Sequence, residues 1–172
     1  MRVYGWIWTL IPAMALAAPS VVCIGHAAQR EKDIYSASAD ARAEIKAALE
    51  KAAPEHKRVI VVFGANWCFD CHALDKAFHR PEVAPIIAAN YEVVHVDIGR
   101  GEKNQDLMAK YEVPMKRGIP GLAVLDAGGK LIYSQKNGEF ENARSLSPED
   151  VVAFLNKWKP SERSQQPSKS TR

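Results

Sequence analysis

The feature that most constrains the fold is a run of five apolar residues, Val59–Phe63, four of which are β-branched. A half-exposed strand would alternate apolar and polar residues, whereas an unbroken apolar run is typical of a strand covered on both faces. Along the chain the pattern reads helix, strand, helix, strand, helix, strand, strand, helix. This alternation predicts a single α/β domain with Val59–Phe63 in its central strand.

The other elements follow from apolar spacing and turn residues. Apolar residues at helical spacing predict a first helix from Ile34 to Ala52. A second strand is predicted over Tyr91–Asp97, and Gly121–Leu125 with Lys130–Tyr133 has the pattern of a hairpin around a Gly-Gly turn. Ser147 is the predicted N-cap of the last helix, because proline follows it directly and aspartate stands three residues on.

The two ends of the chain differ from its middle. Residues 1–27 place Arg2 before a long apolar run that ends in small residues, which predicts an export signal cleaved near Ala28. An uncleaved membrane anchor is the alternative for this segment. Residues 159–172 lack apolar periodicity and predict a flexible tail. The expected domain therefore spans residues 28–158.

Composition excludes several classes of protein. A hydrophobic fraction of 47% is too high for a disordered chain, and three cysteines are too few for a small disulfide-stapled domain. The chain has 23 basic and 20 acidic residues, and the balance in the middle of the chain is close to neutral. We therefore expect no nucleic-acid partner. The protein is also expected to be a monomer.

The informative residues are Cys68 and Cys71, which directly follow the predicted central strand at the start of a helical segment. Free N–H groups and the helix dipole at this position lower the pKa of a thiol, so Cys68 is the predicted nucleophile. Cys71 lies nearly one helical turn away, close enough to form a disulfide with Cys68 or to resolve its mixed disulfide with a substrate. The pair predicts thiol–disulfide exchange.

The segment Trp67–Cys71, together with Gly118–Pro120 before the hairpin, resembles the thioredoxin superfamily. The resemblance extends over roughly residues 33–158 and implies a thioredoxin fold, with a central mixed sheet flanked by helices on both faces. Within the superfamily, residues 78–83 look most like the periplasmic reducing domains of disulfide-interchange proteins.

The resemblance also implies a substrate-binding surface around the cysteines. Pro120 would be cis and face the pair, and the backbone at Ile119 could then bind an extended substrate peptide. Trp67 is expected to pack over the cysteines, and an exposed Phe69 to help dock a partner.

One position departs from the cytosolic thioredoxin pattern. Where those proteins carry a buried aspartate that accepts the proton of the second thiol, this chain has Val62. Asp75, four residues after Cys71 on the same helical face, is the preferred substitute base. Asp70, between the cysteines, should raise their pKa values by like-charge repulsion and favour the reducing direction, whereas a charged His72 would act oppositely.

The sequence interpretation is therefore an exported thiol–disulfide oxidoreductase that needs no cofactor and reduces client proteins in the periplasm. A membrane partner would supply its electrons. Two alternatives depend on the pair itself: Cys68-x-x-Cys71-His72 fits the attachment pattern of c-type haem, and two thiols with His72 could contribute to a metal site. A structural disulfide is a third, and a thioredoxin-fold chaperone, metal-handling or binding module with little redox turnover is a fourth.

Overall fold

The structure, a computed structural model, describes residues 33–161. In chain order its elements are α1 (Ala41–Ala52), β1 (Arg58–Gly64), α2 (Phe69–Phe78), α3 (Ala84–Asn90), β2 (Tyr91–Asp97), α4 (Gln105–Lys110), β3 (Gly121–Leu125), β4 (Leu131–Ser134) and α5 (Pro148–Trp158). Short 3-10 helices lie at Met115–Arg117 and Ala143–Ser145. The predicted leader, residues 1–27, and most of the predicted tail lie outside the described residues.

The four strands form one mixed sheet in the order β2-β1-β3-β4. β1 pairs in parallel with β2, where Val61 is opposite Val94, and antiparallel with β3, where Val61 is opposite Ala123. β4 pairs antiparallel with β3 at one edge. The apolar run of β1 is therefore central in the sheet, as predicted.

Successive side chains of β1 point to opposite faces of the sheet. Val59, Val61 and Phe63 pack with residues of α1 and α4, whereas Ile60 and Val62 pack with residues of α2 and α5. All five side chains are at most 1% exposed. Helices cover both faces, which confirms the predicted layered α/β architecture and explains why residues 59–63 of this strand are all apolar.

The first helix is shorter than the apolar spacing predicted. It begins at Ala41, because the side chain of Asp40 accepts hydrogen bonds from the backbone N–H groups of the second and third helical residues. Ile34 and Ala37 precede this cap and lie outside the helix. Ile34 instead packs against the buried cluster of Tyr35, Cys68 and Cys71, so its side chain is apolar because it borders the cysteine pair and not because it lies on a helix face.

Other predicted boundaries are confirmed or shift by a few residues. Ser147 and Asp150 form the predicted capping box at the start of α5. β2 has the predicted bounds, and β3 with β4 forms the predicted hairpin. α3 begins at Ala84, directly after a turn at residues 81–83. No helix among residues 33–161 has the length and apolar character needed to cross a membrane.

Candidate active site: a cysteine pair at a helix N-terminus

The two cysteines lie where β1 leads into α2. β1 ends at Gly64, and a three-residue turn makes Cys68 the N-cap residue of α2. Cys68 Sγ accepts a hydrogen bond of 3.1 Å from the backbone N–H of Cys71, and the two side chains form a disulfide with Cα atoms 5.2 Å apart. Cys68 is 5% exposed and Cys71 1% exposed. The structure thus brings the predicted pair together, with Cys68 the slightly more accessible of the two.

The loop before β3 faces the pair. The Ile119–Pro120 peptide bond is cis, as the family resemblance implied. Cys68 Sγ lies 3.5 Å from the carbonyl oxygen of Ile119. The carbonyl oxygen of Pro120 accepts a hydrogen bond of 3.1 Å from the buried side chain of Gln135, which anchors the loop from behind. A reduced Cys68 could donate its S–H to the Ile119 carbonyl.

Two exposed aromatic side chains flank Cys68 in the sequence. Phe69 is 73% exposed, as expected for a docking residue, and Trp67 is 53% exposed. The Trp67 indole N–H donates a hydrogen bond of 2.8 Å to the carbonyl oxygen of Gly99, in the loop after β2. This bond holds the ring on that loop and leaves much of its surface open to a partner.

Asp70 has a countercharge that the sequence analysis did not anticipate. Its carboxylate accepts hydrogen bonds from the backbone N–H and the guanidinium of Arg144, at 3.0 and 3.1 Å. Burial acts to raise the pKa of Asp70, but the two bonds and the charge of Arg144 outweigh it and hold the pKa below its usual value. Asp70 therefore stays ionised, and Arg144 offsets part of the repulsion that it was expected to exert on the cysteines.

His72 is turned into the protein. It is 6% exposed, and its Nε2 lies 2.8 Å from the carbonyl oxygen of Asn66. A carbonyl oxygen can only accept, so this nitrogen carries a proton and donates. The Nε2 nitrogen is thus engaged in the turn before Cys68, an arrangement that does not suit an axial haem ligand. Within residues 33–161, no group of three or more His, Cys, Asp and Glu side chains is arranged to hold a metal ion.

Asp75, the predicted substitute base, is surrounded by histidines. Its carboxylate lies 3.4 Å from His95 Nε2 and 3.7 Å from His79 Nδ1. Burial lowers the pKa of His95, the charge of Asp75 acts to raise it, and His79 lowers it further. A proton-accepting role for Asp75 toward Cys71 remains a prediction.

Two residues that the sequence analysis missed complete the site. The side chain of Asn66 accepts hydrogen bonds from the backbone N–H groups of Ile34 and Tyr35, at 3.0 and 2.9 Å, and donates one of 2.8 Å to the Tyr35 carbonyl. Tyr35 is 1% exposed and forms one buried cluster with Cys68 and Cys71. The available signal was an asparagine in the turn before the cysteines, since its side-chain amide can fix a passing backbone segment.

Comparison with known proteins agrees with this geometry. The model of the family described as thioredoxin-like matches residues 40–127. The solved structure of a disulphide isomerase from Xylella fastidiosa Temecula1 is 40% identical, with a TM-score of 0.68, over 72% of this chain and 95% of that one. The germline-specific thioredoxin Deadhead from Drosophila melanogaster is 17% identical, with a TM-score of 0.50, over 72% and 99% of the two chains, and shows the fold alone. No curated protein matches this chain.

The family model covers half of the chain and includes the cysteine pair and the cis-proline loop. The Xylella fastidiosa structure is matched over nearly its whole length. The fold, the position of the pair and these likenesses lead to the same conclusion: the chain belongs to the thioredoxin-like family, has the thioredoxin fold and carries the Cys68–Cys71 pair of a disulfide oxidoreductase.

Proposed function

We propose that this protein is an exported thiol–disulfide oxidoreductase that reduces disulfides of client proteins in the periplasm. The observation that carries the proposal is the arrangement around Cys68. Its sulfur lies at the N-terminus of α2, 3.5 Å from the backbone carbonyl of Ile119 and next in sequence to the exposed rings of Trp67 and Phe69. Such a surface offers a nucleophile, a backbone acceptor for an extended peptide and apolar contact area.

The proposed reaction moves two electrons from the dithiol to the client. The thiolate of Cys68 attacks one sulfur of the client disulfide, a mixed disulfide forms, and the other client sulfur leaves as a thiolate that takes up a proton. Cys71 then gives up its proton, for which Asp75 is the predicted acceptor, and attacks Cys68 Sγ. The mixed disulfide breaks, the second client thiolate leaves and is protonated, and the Cys68–Cys71 disulfide remains.

The reducing direction rests on two supports. Residues 78–83 resemble periplasmic reducing domains, and the 40% identical relative is described as a disulphide isomerase. An isomerase also acts through a free thiolate, so both likenesses favour a pair that works in its dithiol form. Asp70 contributes less than the sequence suggested, because Arg144 pairs with it.

The proposals on export and on the electron source are based on the sequence pattern of the first 27 residues. Their pattern is that of an export signal, and an exported reductase has no direct access to cytosolic reductant. We therefore propose a membrane protein as the electron donor, disulfide-bearing proteins as clients and a monomeric enzyme that needs no cofactor. Mass measurement of the protein recovered from the periplasmic fraction would show cleavage near Ala28, and recovery of the uncleaved chain from the membrane fraction would support the anchor.

A trapping experiment tests the clients. Cys71→Ser leaves Cys68 able to attack but removes the resolving thiol, so mixed disulfides with clients should accumulate. Dithiothreitol should cleave these mixed disulfides and release the clients. Cys68→Ser is the matched control, since it also retains one cysteine of the pair but lacks the predicted nucleophile, and it should trap little. Equal trapping by both variants would contradict the assigned roles. No trapping by either would favour the binding module.

The reduction potential tests the direction. The protein would be equilibrated in a glutathione or dithiothreitol series while tryptophan fluorescence is recorded. A potential near the thioredoxin value of roughly −270 mV would support a reductase, whereas one near roughly −120 mV would indicate an oxidant. Acid trapping and alkylation of cells would measure the redox state of the pair under physiological conditions. A dithiol pair would support the proposal, and a fully oxidised pair would refute it.

A further inference from the structure

The hydroxyl of Tyr35 is buried beside the cysteines without a hydrogen bond. Within residues 33–161, Tyr35 Oη is one of two buried side-chain polar atoms that have no hydrogen-bond partner. Buried hydroxyls are almost always hydrogen-bonded, because leaving one unpaired has a free-energy cost. This atom therefore calls for an explanation in terms of a state of the protein in which it has a partner.

The position of Tyr35 is fixed by the active-site turn itself. Three hydrogen bonds join the Asn66 side chain to the backbone of residues 34 and 35, and Asn66 is two positions before Cys68. The Tyr35 ring also meets the ring of His95 edge-on, with centroids 5.3 Å apart. The tyrosine is thus held by the same turn that positions the cysteines.

Gly64 shows how close the hydroxyl is to the second sulfur. A Cβ atom added at Gly64 would stand within 2.7 Å of both Tyr35 Oη and Cys71 Sγ, so these two atoms are at most about 5 Å apart. In the disulfide form the sulfur of Cys71 is bonded to Cys68 and has no charge. Reduction frees the Cys71 side chain to rotate, and the two atoms already lie close enough for a change of side-chain rotamer to be the movement that a hydrogen bond between them requires.

We propose that Tyr35 donates a hydrogen bond to the sulfur of Cys71 in the dithiol form, and so stabilises the thiolate that resolves the mixed disulfide. This inference rests on the proposed thiol–disulfide exchange and adds the residue that donates a hydrogen bond to Cys71. Cys71 gives up its proton, for which Asp75 is the predicted acceptor, and keeps the electron pair with which it attacks Cys68 Sγ. The hydroxyl keeps its own proton throughout, so Tyr35 is a donor to the thiolate and not its base.

The charged surroundings of Tyr35 agree with a donor role. Burial raises the pKa of the Tyr35 hydroxyl, and the carboxylates of Asp75 on α2 and Asp97 on β2 raise it further. The phenol is therefore protonated throughout the working pH range. His95 packs against the same ring, and its own pKa is lowered mainly by burial, so it is largely neutral at pH 7. The hydroxyl is therefore a protonated donor at most about 5 Å from the sulfur.

The test replaces Tyr35 by phenylalanine in the full chain carrying Cys23→Ser, so that residues 68 and 71 are the only cysteines. Loss of a hydrogen bond made only in the dithiol form should shift the equilibrium with glutathione about tenfold toward the disulfide. This corresponds to a potential about 30 mV more negative. Tyr91→Phe is the matched control, because it removes a buried hydroxyl that donates to Leu155 and should leave the equilibrium unchanged.

A second measurement reads Cys71 directly. In a chain that carries both Cys23→Ser and Cys68→Ser, Cys71 is the only thiol, and its ultraviolet thiolate absorbance is recorded against pH. Tyr35→Phe should raise the midpoint of this thiol titration by about one pH unit. Thermal unfolding supplies the third readout. Oxidised Tyr35→Phe should be at least as stable as the oxidised parent, since the lost hydroxyl has no partner there. Relative to the reduced parent, reduced Tyr35→Phe should be stabilised less than this, or destabilised.

The outcomes separate the two ideas. An unchanged equilibrium together with an unchanged Cys71 midpoint would overturn the role of Tyr35 while leaving the exchange reaction intact. Failure of oxidised Tyr35→Phe to fold would also overturn it, since the hydroxyl would then have a structural role in the disulfide form. If the parent protein does not exchange with glutathione, the proposed function fails, and the Cys71 midpoint still decides whether Tyr35 contacts the thiolate.

Discussion

Substitution of Gly64 by alanine should destabilise the oxidised protein more than the reduced one. Gly64 is the last residue of β1, and the added methyl group would lie within 2.7 Å of Tyr35 Oη and Cys71 Sγ. Ordinary van der Waals contact begins at 3.4 Å, so each neighbour or the strand must move by about 0.7 Å or more. In the disulfide form the Cys71 sulfur cannot move independently, because Cys68 holds it.

The magnitude follows from two opposing effects. Overpacking of a well-packed site costs about 1–3 kcal/mol. Alanine also restricts the unfolded chain, which returns about 0.4–1 kcal/mol where the native backbone suits it. Taking the middle of each range, the net loss in the free energy of unfolding should be about 1.3 kcal/mol for the oxidised protein. In the reduced protein the Cys71 sulfur is no longer held by Cys68 and can move off the added methyl group, so only the clash with Tyr35 remains. The loss should therefore be smaller and the disulfide correspondingly easier to reduce.

The assay is urea unfolding of the oxidised and reduced forms, with the glutathione equilibrium measured alongside. The midpoint should fall with an unchanged slope, and the fall should be larger for the oxidised form. Gly128→Ala is the control, because its added Cβ would meet only an Asp126 oxygen at 3.4 Å. Equal midpoints for Gly64→Ala and the parent, or equal losses in both redox forms, would refute the proposed crowding at Gly64.

Three further predictions concern the partners of the site. Asn66→Ala removes three hydrogen bonds to the segment carrying Tyr35 and should lower the unfolding free energy by about 2–4 kcal/mol in urea titrations. Because burial lowers the pKa of folded His95, the unfolded chain binds more protons as pH falls below about 6.5. Stability should then decrease by up to about 1.4 kcal/mol per pH unit until the folded pKa is reached, a slope that His95→Asn should reduce. Arg144→Ala leaves the Asp70 charge uncompensated beside the pair and should make the glutathione equilibrium a few-fold more favourable to the disulfide.

Each of these three has a matched control. Asn90→Ala removes a single side-chain bond to a backbone carbonyl, and a loss as large as that of Asn66→Ala would contradict the anchoring role of Asn66. His56→Asn changes an exposed histidine and should leave the pH slope intact; an equal effect of both substitutions would discount His95. Arg42→Ala breaks an exposed ion pair with Asp106, and a redox shift equal to that of Arg144→Ala would show that Asp70 is not involved.

The local parts of the site could be predicted from the sequence. The unbroken apolar run of β1 identified the central strand, and the position of Cys68 and Cys71 directly after it identified the redox pair. The cis form of Pro120 was implied by the family resemblance. The first two depend on residues close together in the chain, where backbone geometry and spacing decide the outcome, whereas the cis proline came from the resemblance alone.

The missed parts depend on long-range contacts. Asn66 binds a segment 31 and 32 residues earlier, and Arg144 reaches Asp70 from 74 residues later. Contacts between residues so far apart in the chain produce no periodic pattern that sequence analysis could detect. For the same reason the first helix was predicted to be too long. The apolar spacing continues back to Ile34, but the side chain of Ile34 packs against the cluster of Tyr35, Cys68 and Cys71 and not on a helix face. Tertiary packing decided these positions and overrode the local pattern.

The attachment of residues 34 and 35 to Asn66 has a consequence for how proteins of this family are compared. The family match covers residues 40–127, so it contains both cysteines but neither Tyr35 nor Arg144. The groups proposed to act on the pair, Tyr35 on Cys71 and Arg144 through Asp70, thus lie outside the matched residues, one on each flank. Relatives with the same Cys-x-x-Cys motif could therefore differ in redox chemistry through their flanking segments alone, and their classification should begin with the residues that contact the sulfurs.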